Sequence, residues 1–397
     1  MNTTFLFRER ELHLIRYPAQ SQHVSLQAWD SADELLIDYI TESITPARLH
    51  NMVIINDDFG TLGCWFAEVS PHWLSDSWIA HRSLRENLLA NGQAVQETEE
   101  KLVRLPVTAT NGMSPMPESP SVVVIKIPRT LNLLEHQLIE LMKVATPHTT
   151  IIAAGKVKSI TRNVLNLFEK YVGPVTTSLA KKKSRLIFAT PTQEKLATVQ
   201  RSPFPIVWHH SLPDGQRISV SNHANVFSGQ SLDIGARIML EHLQVEPSDH
   251  VVDLGCGNGI LGLSALSSAS GVKVSFVDES FMALASAEKN VQDNFPAQLS
   301  DCRFIASNCL EELFEQTHLP PVTKVVCNPP FHQQSAITDH IAWQMFHDSK
   351  RLLTQGGHLI VVGNRHLDYH AKLKRLFGGV KLIASNHKFV ILCAAKR

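Results

Sequence analysis

One arrangement of landmarks occurs twice in the 397 residues, about two hundred positions apart, and this internal repeat limits the fold more than any other feature. Leu26 to Ile40 (LQAWDSADELLIDYI) and Ser231 to Leu240 (SLDIGARIML) each set an aspartate, Asp30 or Asp233, ahead of a helical apolar stripe. Val53 to Gly63 (VIINDDFGTLG) then faces Val251 to Gly262 (VVDLGCGNGILG), in each case an apolar strand, an acid and a glycine turn. Ser75 to Gly92 parallels Val277 to Asn294, with Asp76 and Asp278 202 positions apart, and the same interval separates Lys126 from Asn328. IIAAGK (Ile151 to Lys156) finally echoes LIVVGN (Leu359 to Asn364). The order and the near-constant spacing imply two copies of one domain.

Within each copy, short apolar runs such as Val122 to Ile125, Val272 to Val277 and Leu359 to Val362 alternate with amphipathic stretches long enough for helices. That alternation predicts α/β architecture, βαβ units on a mostly parallel sheet. The domains are expected at 1–200 and 201–397, joined within Pro191 to Ser219, a Pro-rich polar stretch. Thr108 to Ser121 reads as a surface loop inside the first copy.

Composition excludes several classes. With 44% apolar and 19% charged residues, the chain has a core to bury and too few charges for disorder. Lys plus Arg (37) equals Asp plus Glu (37), so there is no global basic field and any cationic surface must be local. The six cysteines form no CxxC pair, which suits reduced thiols rather than a zinc ribbon. His366 and His370 are an i, i+4 pair without the HExxH glutamate, so no metal is expected. The N-terminus (MNTTFLFRERELHLIR) mixes acids and arginines where a signal peptide is apolar, and no run approaches the ~18 residues of a membrane span. A cytoplasmic protein without a membrane partner is expected.

Gly255-Cys256-Gly257-Asn258-Gly259 follows the strand VVDL and precedes the helix start ILGLSAL, a geometry that brings backbone N–H groups close to a ligand. Gly257, Gly259 and Gly262 also satisfy GxGxxG, with Asp278 about twenty residues on, as in a dinucleotide enzyme. Asp253 would repel a pyrophosphate there and suit the ammonium end of S-adenosylmethionine, which favours the sulfonium cofactor. Asp278 ends the next run (KVSFVD), where with neighbouring Glu279 it is placed for ribose hydroxyls; the same position also fits a helix N-cap. Asn308 can meet the adenine edge or be an ordinary turn asparagine.

Asn328-Pro329-Pro330-Phe331 follows the run VTKVVC at a strand's carboxyl end, where open α/β sheets bind ligands. The Asn328 amide oxygen and the Pro329 carbonyl can accept both hydrogens of a planar NH₂ group and favour its pyramidal transition state. Pro330 stiffens the loop, Phe331 offers a face for a flipped base, and His332 is placed to read it.

DLGCGNG followed by NPPF resembles the class I S-adenosylmethionine-dependent methyltransferases that modify planar amino groups, over Asn222 to the C-terminus. With the duplicated first half, and with NHANVFSGQSLDIGARIML, NPPFHQQ and NRHLDYHAKLKRLFG, nearly the whole chain resembles the bacterial ribosomal RNA guanine-N2 methyltransferases with tandem methyltransferase-like domains. The resemblance favours the large-subunit (23S) branch over its small-subunit (16S) sibling. It implies two tandem Rossmann-like domains, 2-methylguanosine formation, S-adenosylmethionine held by Asp253, Gly255, Gly257, Asp278 and Asn308, and a catalytic loop at Asn328 to Phe331.

The first copy has NDDFGTLG for DLGCGNG and Lys126-Ile127-Pro128-Arg129 for NPPF, so it is expected to be catalytically silent. Lysine cannot accept a hydrogen bond from an amine, and its charge opposes a sulfonium. Its job is then RNA docking or structural support. Residues 151–200 carry nine Lys/Arg against two acids, including Lys181, Lys182, Lys183 and Arg185; residues 351–397, with Arg365, carry nine against one. Such runs are either solvated faces or phosphate contacts. A protein glutamine methyltransferase and a noncatalytic RNA-binding assembly protein remain rivals. The basic clusters and degenerate twin weigh against the first, the complete second-copy motif against the second.

Overall fold

The computed structural model describes residues 2–18, 26–226, 231–329 and 336–397. The chain forms two compact units, Met1–Pro203 and Phe204–Arg397.

Each unit is built on a seven-stranded sheet of the same topology. In the second, the order is Cys302–Ala306, Lys273–Asp278, His250–Leu254, Val322–Cys327, Leu353–Asn364, Phe389–Ala395, Lys381–Ser385, with six strands running in one direction and Phe389–Ala395 alone reversed. In the first, it is Thr108–Thr110, His72–Leu74, Met52–Ile55, Val122–Lys126, Thr150–Lys156, Ser184–Ala189, Val175–Thr177, again with only the sixth strand reversed. A two-stranded hairpin precedes each sheet, Thr4–Phe7 with Arg10–His13 and Ile206–Ser211 with Arg217–Asn222.

Two expectations about loops are corrected. The polar stretch read as a linker contains the hairpin strand Ile206–Ser211, whose exposed alternate residues hide its strand character. Thr108–Thr110, read as loop, is the edge strand beside His72–Leu74.

The central strands are apolar throughout because helices cover both faces. In the second unit Val251, Phe276 and Val326 face one apolar layer, and Val252, Val277 and Val325 the other. Each such buried side chain contributes roughly 1.5–3 kcal/mol. Strand alternation puts Asp253 on the Val251 face, beneath the helix Ile260–Ser268.

Candidate functional site

The glycine loop lies between the central strand His250–Leu254 and the helix Ile260–Ser268. Gly255, Gly257 and Gly259 all have positive φ (+69°, +53° and +81°). Their surroundings differ. A Cβ on Gly257 would meet nothing within 4 Å, and one on Gly255 only the end of Met345 at 3.8 Å. At Gly259 it would strike Ala287 at 2.9 Å, and at Gly262 the Phe276 ring at 2.2 Å. The first two therefore open a cradle, while the last two let helix and sheet pack. Cys256 and Asn258 contribute backbone to this turn. The Cys256 side chain is buried in the core, and Asn258 caps Ile260 N (3.1 Å) through Oδ1.

Asp253, expected to face the cofactor, is bound by the helix that follows the loop. Its carboxylate is 1% exposed, turned to Gly262 N at 2.9 Å, and burial pushes its pKa up to about 8. It ties the loop to the helix. Asp278 does end its strand beside the cradle, accepting from Gly257 N and Ser280 N, both at 2.9 Å. Burial raises its pKa against those backbone donors. The helix after it is capped by Ser280, so Asp278 is not the N-cap. Glu279 is exposed. Asn308 is buried; its Nδ2 donates to Glu311 Oε1 at 2.8 Å, leaving the amide oxygen for a ligand.

Asn328 stands one residue beyond the strand Val322–Cys327, next to the central strand's end. Its Nδ2 donates to Asp233 Oδ2 at 3.3 Å, and its Oδ1 is buried with no hydrogen-bond partner among the described residues. Pro329 is buried. Pro330, Phe331 and His332 lie outside the described residues. On the adjacent strand's end, Asn364 also has a buried amide oxygen without a partner among the described residues, a feature missed in the sequence. The doublet with Lys156 in the repeat was its only signal.

In the first unit the glycines needed for packing survive and those of the cradle do not. Gly60 (φ +78°) and Gly63 hold the places of Gly259 and Gly262, and a Cβ on either would come within 2.6 Å of Leu84. Asp57 bonds Gly63 N at 2.8 Å as Asp253 bonds Gly262 N. By strand pairing Ile55 stands for Leu254, so the two turns are equally long, Asn56 (φ +62°) and Asp58 fill the places of Gly255 and Gly257, and Asp57 reaches Gly63 N from the place of Cys256. The strand register also corrects one pairing. Leu74 pairs with Ile55 as Val277 pairs with Leu254, which aligns Ser75, not Asp76, with Asp278. Where Asn328 stands, Lys126 is 6% exposed and holds Asp33 at 2.6 Å and Asp30 at 3.2 Å. Burial lowers its pKa, but the two carboxylates outweigh that and hold it protonated, above the ordinary lysine value.

A polar ladder, overlooked in the sequence, pins each hairpin to its domain. Asn290 accepts from Ser221 N (2.7 Å) and donates to the carbonyls of Ser221 and Asn258; Asn87 does the same with Ile15 and Phe59. Asn294 bonds both backbone groups of Ser219, as Asn91 bonds those of His13. Ser286 and Ser83 add His223 N and Tyr17 N. The i, i+4, i+8 spacing of Ser, Asn and Asn in both helices carried the signal.

Two lysines of the Lys181–Arg185 run are paired with carboxylates far along the chain. Lys181 pairs with Asp38 (3.2 Å) and Lys182 with Glu34 (2.6 Å), while Arg8 joins Asp38 and Glu42. Lys182 and Lys183 have φ of +50° and +66°, the geometry of a tight hairpin turn. Lys183 is exposed, and the Arg185 Nε is buried without a partner among the described residues. Arg365 is exposed and donates to the Asn386 carbonyl. Among the described residues there is no cluster of three or more His, Cys, Asp or Glu fit for a metal, and no helix long and apolar enough to cross a membrane.

A parallel-centred sheet with an open glycine cradle and an acid at the next strand end defines a methyltransferase-type α/β domain in the second unit, and the first unit repeats its topology without the cradle or that acid. Residues 2–193 match the RLMG N-terminal domain, and residues 217–393 the methyltransferase small domain. The chain is 57% identical to the ribosomal RNA large subunit methyltransferase G of Alteromonas mediterranea, and 50% identical to that of Pseudoalteromonas atlantica, over the full length of each protein. It belongs to the ribosomal RNA large subunit methyltransferase G family. A 16S rRNA N2 methyltransferase of T. thermophilus, solved with AdoMet and guanosine, shares the fold at a TM-score of 0.75 and 18% identity, over 100% of this chain and 98% of that one.

Proposed function

We propose that the chain transfers a methyl group from S-adenosylmethionine to the exocyclic N2 of a guanine in large-subunit ribosomal RNA, in the cytoplasm. One observation carries this reading: the Asn328 amide oxygen, buried and without a hydrogen-bond partner among the described residues, sits at the strand end beside an open glycine cradle. A buried acceptor without a donor costs free energy unless a ligand supplies one.

The cofactor fits the residues present. Gly255 and Gly257 leave room where side chains would otherwise stand, Asp278 can accept the ribose hydroxyl protons, and the Asn308 oxygen can accept from the adenine amine. When bound, S-adenosylmethionine supplies an electrophilic methyl group.

The chain's own contribution is to the amine. The guanine N2 lone pair is delocalised into the ring, so N2 is a poor nucleophile until it pyramidalises. Acceptors on both N–H bonds, Asn328 Oδ1 and the Pro329 carbonyl, favour that geometry and the positive charge growing on nitrogen. Methylated N2 is strongly acidic, so its proton passes to solvent without a dedicated base. The first unit, lacking the cradle and the acceptor, is catalytically silent.

The test is transfer of labelled methyl groups to ribosomal RNA and to protein fractions, followed by nucleoside identification. Label in 2-methylguanosine of 23S RNA is expected. Label in glutamine would overturn the reading, and Asn328→Ala should cut turnover by a factor on the order of 10².

A further inference from the structure

The carboxylate of Asp233 receives three hydrogen-bond donors on one oxygen. Gly235 N (3.0 Å) and Ala236 N (3.2 Å) belong to the first turn of the helix Ile234–His242, so Asp233 is its N-cap. The third donor, Asn328 Nδ2 at 3.3 Å, comes from the strand end 95 positions later. An ionised carboxylate accepts and never donates, so the edge of Asn328 that faces it must be the NH₂ edge. The amide oxygen is thereby turned the other way, where it is buried and has no hydrogen-bond partner among the described residues.

The repeat offers an independent view of the same device. Asp30 caps its helix through Ala32 N (2.9 Å) and Asp33 N, and reaches Lys126 Nζ at 3.2 Å. Lys126 occupies the strand-end place of Asn328. The link from N-cap aspartate to strand end is therefore present in both units, although the group held has changed from an amide to an ammonium.

We infer that Asp233 is the positioning residue of the methyl-transfer site: it fixes the amide of Asn328 so that the oxygen meets the substrate amine, and its negative charge, one hydrogen bond behind, strengthens that oxygen as an acceptor. Donation from Nδ2 to a carboxylate shifts electron density toward Oδ1, the cooperative strengthening expected of a bond chain in a poorly solvated place. Freed from Asp233, the amide can rotate by half a turn about its last side-chain bond. It would then present N–H groups to an amine whose own N–H bonds need acceptors. The inference rests on the proposed role of Asn328.

The experiment compares Asp233→Ser, Asp233→Asn, Asn328→Ala and the Asp233→Ser/Asn328→Ala double variant in the full chain. Serine and asparagine are both good N-caps, so the helix and the unfolding midpoint are preserved, which circular dichroism checks. Serine is too short to hold Asn328; asparagine retains an oxygen that can. The expected result is a kcat lowered about tenfold or more in Asp233→Ser, with KM for RNA and cofactor affinity within about twofold, and recovery to within a few-fold of wild type in Asp233→Asn. Adding Asp233→Ser to Asn328→Ala should cause no further loss, since the two act as one unit. A wild-type kcat in Asp233→Ser, an Asp233→Asn variant as slow as the serine one, or losses that multiply in the double variant, would overturn the inference while Asn328→Ala stays impaired. Normal turnover in Asn328→Ala would instead remove the reading beneath it.

Discussion

Lys126 stands in the first unit where Asn328 stands in the second. The residue before each, Ile125 or Cys327, pairs with the last residue of the central strand, Ile55 or Leu254, and each side chain then reaches the N-cap aspartate of the domain's first helix. The substitution turns an acceptor into a buried cation. It is matched by Asp33, which stands in the first unit where Ala236 stands in the second and brings a second carboxylate to 2.6 Å from the ammonium.

That ion pair makes a stability prediction. Asp33 is 2% exposed and Lys126 6%, so Lys126→Met would strand a carboxylate away from water. Breaking such a pair from one side costs about 3–5 kcal/mol. Denaturant unfolding of the full chain should show the transition of the first unit moving to lower concentration, with partial recovery when Asp33→Asn is added. An unmoved transition would mean that the pair is solvated.

Cofactor stoichiometry follows from the glycines. Calorimetry on the full chain should give one S-adenosylmethionine per chain, because only the second unit has Gly255 and Gly257 facing open space. Gly257→Val should abolish binding, both by filling the cradle and by straining a residue at φ +53°. Two sites per chain, or undiminished binding in the variant, would contradict the assignment.

Much of this was legible in the sequence because it is local. The glycine turn and the asparagine at a strand end each sit within a dozen residues, and the duplication shows as a series of such short runs. What was hidden depends on register and distance. Asp76 looked like the partner of Asp278 by counting, but the strand pairing moves the match to Ser75. The bond from Gly262 N to Asp253 depends on strand alternation and was not read from the sequence. The basic run looked cationic because its neutralising acids, Glu34 and Asp38, lie more than 140 residues earlier.

Asp253 gives a pH prediction whose sign is fixed. Its folded pKa of about 8 lies above the ordinary 3.8, so between these values the folded chain holds a proton that the unfolded chain has released. Stability from this group therefore falls as pH rises through that window, in total by roughly a few kcal/mol. Asp253→Asn keeps an oxygen for Gly262 N and removes the titration. Unfolding midpoints measured from pH 5 to 9 should decline less steeply in the variant than in the wild type. Parallel declines would show that the buried carboxyl does not carry this cost.

Charge pairing changes what neutralising the basic turn should do. Lys181 and Lys182 face Asp38 and Glu34, and Arg8 faces Asp38 and Glu42, which puts three cations against three carboxylates on one patch. Such a patch has little net field to draw phosphates, although each exposed pair is itself worth no more than about 1 kcal/mol. Lys181→Gln with Lys182→Gln should therefore leave the slope of log RNA affinity against log salt within about 0.7 of wild type, less than one single-strand phosphate contact. Glu34→Gln with Asp38→Asn would unmask the same lysines, and the slope should then steepen. The measurement is RNA binding across a salt series for all three proteins. A slope reduced by about 1.4 or more in the lysine variant would mean that both cations leave their carboxylates for phosphate, and that the first unit docks RNA through this turn.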